Sequence, residues 1–196
     1  EDGNLIPAEM GAAQRGPISV LISNVYLHYV LDLWVEKVVK PRLKGEVYYV
    51  RYLDDFALGF QHESDAKRFQ QVLVKRLEKF SLELEPSKTR LIAFGRFARW
   101  MARKSGQPMQ TFYFLGFTFF NSRTRKGRYA VGIKTEKSRL RRSMTKLNVM
   151  MSSNRHKTLQ EQIEKINQFL TGTFCYYGVM GNFMSLKKLH CFATRQ

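Results

Sequence analysis

Apolar positions change their spacing along the chain, and those changes divide it into elements. Ile18, Leu21, Ile22, Val25, Tyr29 and Leu33 recur at helical spacing. Gly16-Pro17 supplies a start, with proline pre-set for the first helical position. Pro41 follows the predicted end near Val39. Val47 to Phe60 reads differently. Two runs rich in aromatic and β-branched residues flank Asp54-Asp55, which predicts a β-hairpin with its acids at the turn. Ser64 can cap a second helix with the apolar face Ala66, Phe69, Val72, Leu73, Leu77 and Phe80. Leu91 to Phe94 is short and apolar and predicts a strand. Arg96 to Gln110 is basic, breaks at Gly106 and Pro108, and predicts a loop.

The second half alternates in the same way. Thr111 to Phe120 predicts an aromatic strand, and Arg128 to Lys134 its partner, with the turn at Arg123 to Gly127. From Thr135 the spacing is helical again, through Leu140, Met144, Leu147 and Met151. Thr158 and Glu161 form a capping-box pair ahead of Leu159, Ile163, Ile166 and Leu170. Gly172 is the predicted end of that helix, before the aromatic cluster Phe174, Tyr176 and Tyr177. A last helix is predicted from Ser185 to Phe192. Strands and helices in this order predict an α+β fold, and no internal repeat is visible.

The 196 residues suffice for one large domain or two small ones. No run of eighteen uninterrupted apolar residues occurs, so no membrane span is expected. The first residues, Glu1-Asp-Gly-Asn, lack both a starting Met and the layout of a signal peptide. The sequence therefore reads as a piece that begins mid-protein. Cys175 and Cys191 are too few for a disulfide scaffold or a zinc site, and a cytoplasmic protein with reduced thiols is expected. His28, His62, His156 and His190 show no ligand spacing.

Charge changes the picture. The net charge is +17, but residues 1–85 carry 11 Lys and Arg against 13 acids. Residues 86–157 carry 18 Lys and Arg against one acid, Glu136. A cationic block interleaved with aromatics is the expected footprint of nucleic-acid binding, since ordinary soluble surfaces mix both signs.

Asp54 and Asp55 carry the candidate chemistry. At ~5 Å and an effective dielectric of ~20, two carboxylates repel by about 3 kcal/mol. A Mg²⁺ ion reverses that sign, because it takes carboxylate oxygens together with substrate phosphates. That arrangement suits phosphoryl transfer. The pair alone is weak: an Asp-Asp arises by chance about 0.7 times in a chain this long, and Asp is common in polar turns.

The order of blocks says more. Gly11-Ala-Ala-Gln-Arg-Gly-Pro-Ile-Ser-Val20 is followed by Tyr52-Leu-Asp-Asp55 and Leu82-Glu-Leu-Glu-Pro-Ser-Lys-Thr-Arg90. Phe114-Leu-Gly-Phe117 and Phe174-Cys-Tyr-Tyr-Gly-Val-Met-Gly-Asn182 come next. In this order they resemble a bacterial group II intron-encoded reverse transcriptase, the intron maturase family. Departures are Leu53 for the usual Ala, Arg15 for a Gly, Ala12-Ala13 for Thr-Pro and Val20 for Pro. Arg15 matters most, because glycine lets backbone approach a template or nucleotide closely.

The resemblance implies a partial reverse-transcriptase palm over residues 1–134 and a helical thumb or maturase segment over 135–196. It implies Asp54 as a direct Mg²⁺ ligand with Asp55 beside it, and Lys88 near the leaving pyrophosphate. It implies Tyr52 and Leu53 near the primer end, and Gln14 and Arg15 near template and incoming nucleotide. Tyr52 is equally an ordinary cross-strand aromatic. Arg139, Arg141, Arg142 and Lys146 are candidates for phosphate contacts, or else a solvated helix face. Phe114 to Phe117 resembles a primer-grip turn. Tyr176 and Tyr177 could stack bases or pack between helices. The partners implied are an RNA template, intron RNA, a DNA primer and deoxynucleoside triphosphates. A third carboxylate and the fingers are expected to lie upstream of this chain. Asp2, Asp32 and Asp65 do not stand in a matching context, so the chain alone is expected to be inactive. A non-catalytic, intron-RNA-binding splicing cofactor is the alternative.

Overall fold

A computed structural model of the chain describes residues 17–195. The fold is α+β, and the described residues form two compact units that divide between Leu91 and Ile92.

The first unit opens with helix α1 (Pro17–Leu27), which continues through two wider π turns, His28–Asp32 and Val35–Val39, and a 3₁₀ turn, Lys40–Arg42. Burial begins only past α1: residues 18–29 are exposed or half-buried. Of the predicted apolar row, Ile18, Leu21, Ile22, Val25 and Tyr29 are exposed and Leu33 is half-buried, while Val30, Leu31, Trp34, Val35 and Val39 belong to the core. Arg76 stabilises the widened stretch: its Nε donates to the Val30 carbonyl at 3.1 Å, and its guanidinium lies 4.4 Å from the Phe80 ring centre. The stretch Ile18–Arg42 is long and apolar enough to cross a membrane by length and composition alone, although polar and charged residues interrupt it. Its second half packs as a core helix, against Phe69, Leu73 and Leu77.

Strands β1 (Val47–Tyr52) and β2 (Asp55–Phe60) form the predicted antiparallel hairpin, in register from Val47↔Phe60 to Tyr52↔Asp55. A two-stranded hairpin is marginal alone. Here Tyr49, Phe56, Leu58 and Phe60 pack on the helical core. Helix α2 (Glu63–Glu78) follows. His62, not Ser64, occupies its N-cap, without a side-chain cap. Asp65 is buried in the first turn, where it accepts hydrogen bonds from the Lys44 and Gly45 amides at 3.0 and 3.2 Å.

The second unit corrects four expectations, among them the single strand Thr111 to Phe120, which folds back at Leu115-Gly116 into two antiparallel strands. Leu91 to Phe94 forms no strand. The stretch expected as a loop contains helix α3 (Ala98–Ser105). Ala98 and Ala102 lie one turn apart on its inner side, and Gly106, at φ 67°, terminates it in the left-handed conformation. The glycine that reads as a break is a C-terminal stop. Strands β3 (Phe112–Phe114), β4 (Phe117–Arg123) and β5 (Tyr129–Thr135) make an antiparallel sheet in sequence order.

Helix α4 (Lys137–Ser153) buries Leu147 on the predicted face. Helix α5 (Leu159–Tyr177) begins with the predicted capping box: Glu161 N donates to Thr158 Oγ1, and Thr158 N to Glu161 Oε2. It does not stop at Gly172 but runs to Tyr177. An interior glycine costs about 1 kcal/mol against alanine. The contacts of Tyr176 and Tyr177 in the last turn hold the helix on. Helix α6 (Phe183–Ala193) completes the unit, with Leu189 fully buried.

Candidate active site and nucleic-acid interface

The hairpin tip is a two-residue turn, Leu53-Asp54, between the paired residues Tyr52 and Asp55. Strand alternation decides what faces where. Tyr48, Val50 and Tyr52 are exposed, while Val47, Tyr49 and Arg51 point toward the helices and are half-buried. Asp54 and Asp55 are both exposed at the tip, and among the described residues neither enters an ion pair. Leu53 has φ 57°, the left-handed region that non-glycine residues seldom occupy.

A buried-side polar network fixes that turn. Arg51 Nε donates to Asp32 Oδ1 at 2.7 Å, and Nη2 to Asp32 Oδ2 at 2.6 Å, a bidentate pair. Arg51 Nη1 donates to the Leu53 carbonyl at 2.7 Å and to Asn24 Oδ1 at 2.9 Å. Tyr49 OH donates to Asp32 Oδ1 at 2.7 Å, and His28 Nδ1 lies 3.3 Å from Asp32 Oδ2. The Arg51 hydrogen bond holds the Asp32 carboxyl at about 2, below its ordinary 3.8, with burial opposing and Tyr49 assisting. Burial, with the Asp32 hydrogen bond, pushes the Tyr49 phenol well up. Asp32 therefore stays an anion and anchors the arginine that grips the turn. Sequence reasoning set Asp32 aside and did not single out Arg51, Tyr49 or Asn24. The pairing is invisible in one dimension, because 19 residues separate Asp32 from Arg51.

The donor set fits a hard cation in part. Two adjacent, exposed carboxylates suit an ion that takes few protein oxygens and completes its shell with water and phosphate. Among the described residues no third His, Cys, Asp or Glu joins them. Asp32 and Asp65 are both committed to structural hydrogen bonds.

The other predicted site residues lie on other elements. Lys88 is exposed on a turn after Glu85, where its amide donates to the Glu85 carbonyl at 3.1 Å. No hydrogen bond or ion pair among the described residues joins it to Asp54 or Asp55. Gln14 and Arg15 lie outside the described residues. On α4, Arg139, Arg141, Arg142 and Lys146 are all exposed. Helical spacing puts Arg139, Arg142 and Lys146 in one stripe and turns Arg141 away from it. Arg139 Nε is 4.0 Å from Glu136 Oε2, and Lys146 Nζ lies 5.9 Å from the Phe169 ring centre.

Phe114 to Phe117 is a tight hairpin turn with Leu115 and Gly116 at φ 50° and 76°. Two positive φ angles match the twist of the flanking strands. Tyr176 OH donates to the Leu115 carbonyl at 3.1 Å, and the Tyr176 ring stacks on Phe117 at 6.0 Å. Tyr177 meets the same Phe117 edge-on at 5.2 Å. Both tyrosines thus pack on this turn.

The family model described as reverse transcriptase (RNA-dependent DNA polymerase) matches residues 5–119, more than half of the chain. The match takes in both hairpin turns and ends within β4, ahead of α4, α5 and α6. No curated protein matches the chain.

Proposed function

Since this chain belongs to the reverse transcriptase (RNA-dependent DNA polymerase) family, we propose that the turn from Tyr52 to Asp55 is the metal-holding end of its nucleotidyl-transfer site. Members of the family generally use divalent metal ions and bind an RNA template, a primer and nucleotides. The observation that carries the proposal is the exposed Asp54-Asp55 pair on a turn whose backbone Arg51 and Asp32 hold in place. Mg²⁺ held there would align a primer hydroxyl with a deoxynucleoside triphosphate and offset the charge that develops between them. Asp54 supplies the direct ligand and Asp55 shares the site. Tyr52, 58% exposed, offers a ring beside the primer end. Lys88 serves the leaving pyrophosphate once substrate is bound.

The proposal extends to a group II intron enzyme of the cytoplasm, with residues 1–134 as partial palm and 135–196 as thumb. Its RNA partners are template and intron RNA. The stripe Arg139, Arg142 and Lys146 would follow a phosphate backbone, and this stripe is what favours the second reading, an intron-RNA-binding splicing cofactor. With two carboxylates and no third among the described residues, residues 1–196 alone should not polymerise.

Primer extension with Mg²⁺ tests both parts. The isolated chain should give no product, and robust synthesis would refute the incomplete site. In a longer protein that restores synthesis, Asp54→Asn should abolish it while leaving RNA affinity intact. Unchanged synthesis in that variant would remove the turn from the chemistry.

A further inference from the structure

Helix α3 is outside the chemistry discussed so far. Its inner side is made by Ala98, which is buried, and Ala102. The segment before it is fastened to the sheet of the same unit. The Gly95 amide donates to Asn121 Oδ1 at 3.0 Å, and Phe94 meets Phe112 edge-on at 5.0 Å. The helix is therefore held with one side fixed and the other side in solvent.

What it presents to solvent is two aromatic rings among cations. Phe97 is 65% exposed and Trp100 60%. Burying such rings is worth about 2–3 kcal/mol each, so leaving both in water is costly unless a ligand covers them. Around them stand Arg96, Arg99, Arg103 and Lys104, and none of the ion pairs among the described residues engages these cations. At 100° per residue, Arg99 and Arg103 share one arc of α3, and Trp100 and Lys104 the adjoining arc, while Arg96 and Phe97 stand in the turn that leads into the helix. Lys104 Nζ sits 5.3 Å from the Trp100 ring centre, and Arg96 Cζ 5.5 Å from that of Phe97.

We propose that α3 is a docking site for single-stranded nucleic acid, with phosphates along Arg96, Arg99 and Arg103 and unstacked bases on Phe97 and Trp100. Charge complementarity selects the occupant. A cationic track beside flat, exposed rings is the surface that a single strand needs, and its sequence tolerance follows because every base has a π face. A lipid surface fits less well. Lys104 and Arg96 lie over the rings themselves, so inserting the rings would carry cations into the acyl region. The inference does not depend on Asp54 or Asp55.

The chain carries its own probe. Of its two tryptophans, Trp34 is buried at 8% exposure, so Trp100 dominates any quenching by a bound ligand. A labelled oligouridine titrated into the 196-residue chain should quench that emission while its anisotropy rises. Trp100→Phe should abolish the quenching but keep affinity within about twofold. Joint replacement of Phe97 and Trp100 by Ala should weaken binding about tenfold or more. Arg99→Gln with Arg103→Gln should flatten the salt dependence by about 1.4 in log–log slope. Unquenched emission, or unchanged affinity in the joint Ala variant, would overturn the proposal. So would a blue shift with phosphatidylserine vesicles in place of any response to oligouridine, which would assign α3 to a membrane surface. Asp54→Asn should leave every one of these readings as it is, so the two proposals fail separately.

Discussion

Arg51 binds the Asp32 carboxylate through two nitrogens, at 2.7 and 2.6 Å, and spends its third on the Leu53 carbonyl. One side chain thus ties the hairpin tip to the helix beneath it. The Arg51 side chain is only 11% exposed, so solvent and salt screen the pair weakly. Removing one partner strands the other. Arg51→Ala or Asp32→Ala should each lower unfolding free energy by about 2–3 kcal/mol, and the double variant by far less than the sum. A double-mutant cycle by urea denaturation reads the coupling, and additive losses would mean that the pair does not act as a unit. Arg51→Lys should not rescue, because an ammonium cannot fork onto two carboxylate oxygens and the carbonyl together.

The same pair sets an acid limit. Asp32 titrates at about 2 in the folded chain against an ordinary 3.8. A depressed carboxyl contributes stability that is complete above the unfolded value and is lost as pH falls toward the folded one. After allowance for solvent screening, about 1–2 kcal/mol should disappear between about pH 4 and pH 2. Other acids titrate in that window, so the measurement is the difference between parent and Asp32→Asn. The difference should shrink as pH falls, and a constant offset would contradict the assignment.

Leu53 at φ 57° bears backbone strain of about 1 kcal/mol or more. Asparagine tolerates this conformation and a β-branched side chain does not. Leu53→Asn should therefore match or exceed the parent in unfolding free energy, and Leu53→Val should fall below it by about 1 kcal/mol or more, read from urea-denaturation midpoints. Equal midpoints would mean that the turn relaxes in solution.

The hairpin was legible in the sequence because β-branched and aromatic runs on both sides of two acids leave few alternatives. The capping box of Thr158 and Glu161 was legible because its four residues are local. The long helix was misread in detail: the row from Ile18 to Leu33 keeps α-helical spacing, but its part up to Tyr29 faces solvent and the buried side is Val30, Leu31 and Val35. Helix α3 was hidden by reading Gly106 as a break when it is the stop. The acids of the candidate site were visible, and their support was not. Asp32, Asn24 and Tyr49 reach Arg51 or each other only through the fold, and each has an unremarkable local setting.

Gly116 is held by its conformation and its neighbour. At φ 76° an added Cβ is strained, and it would stand 2.9 Å from the Tyr177 hydroxyl. Gly116→Ala should cost about 1–2 kcal/mol. In a Tyr177→Phe background the steric part should vanish and the backbone part remain, so the cost should fall without reaching zero. A cost unchanged by Tyr177→Phe would assign it to φ alone.

Asn182 makes the strictest demand in the second unit. It is 1% exposed, and its amide satisfies three groups from two directions. Its Oδ1 accepts from the Thr135 amide at 2.7 Å, while Nδ2 donates to Thr135 Oγ1 and the Tyr177 carbonyl, each at 2.8 Å. It therefore locks the end of β5, the end of α5 and the start of α6 with one side chain. Asn182→Ala leaves the Thr135 amide and the Tyr177 carbonyl without those partners, and should cost about 2–4 kcal/mol. Asn182→Asp keeps the acceptor but loses both donors and sets an anion against the Tyr177 carbonyl, so it should be no better than alanine. Thr135→Val removes only the hydroxyl partner and should cost about 1 kcal/mol. In the Asn182→Ala background that change should be nearly silent. Chemical denaturation of the four proteins gives the order, and a mild Asn182→Ala would mean that water replaces the amide inside this junction.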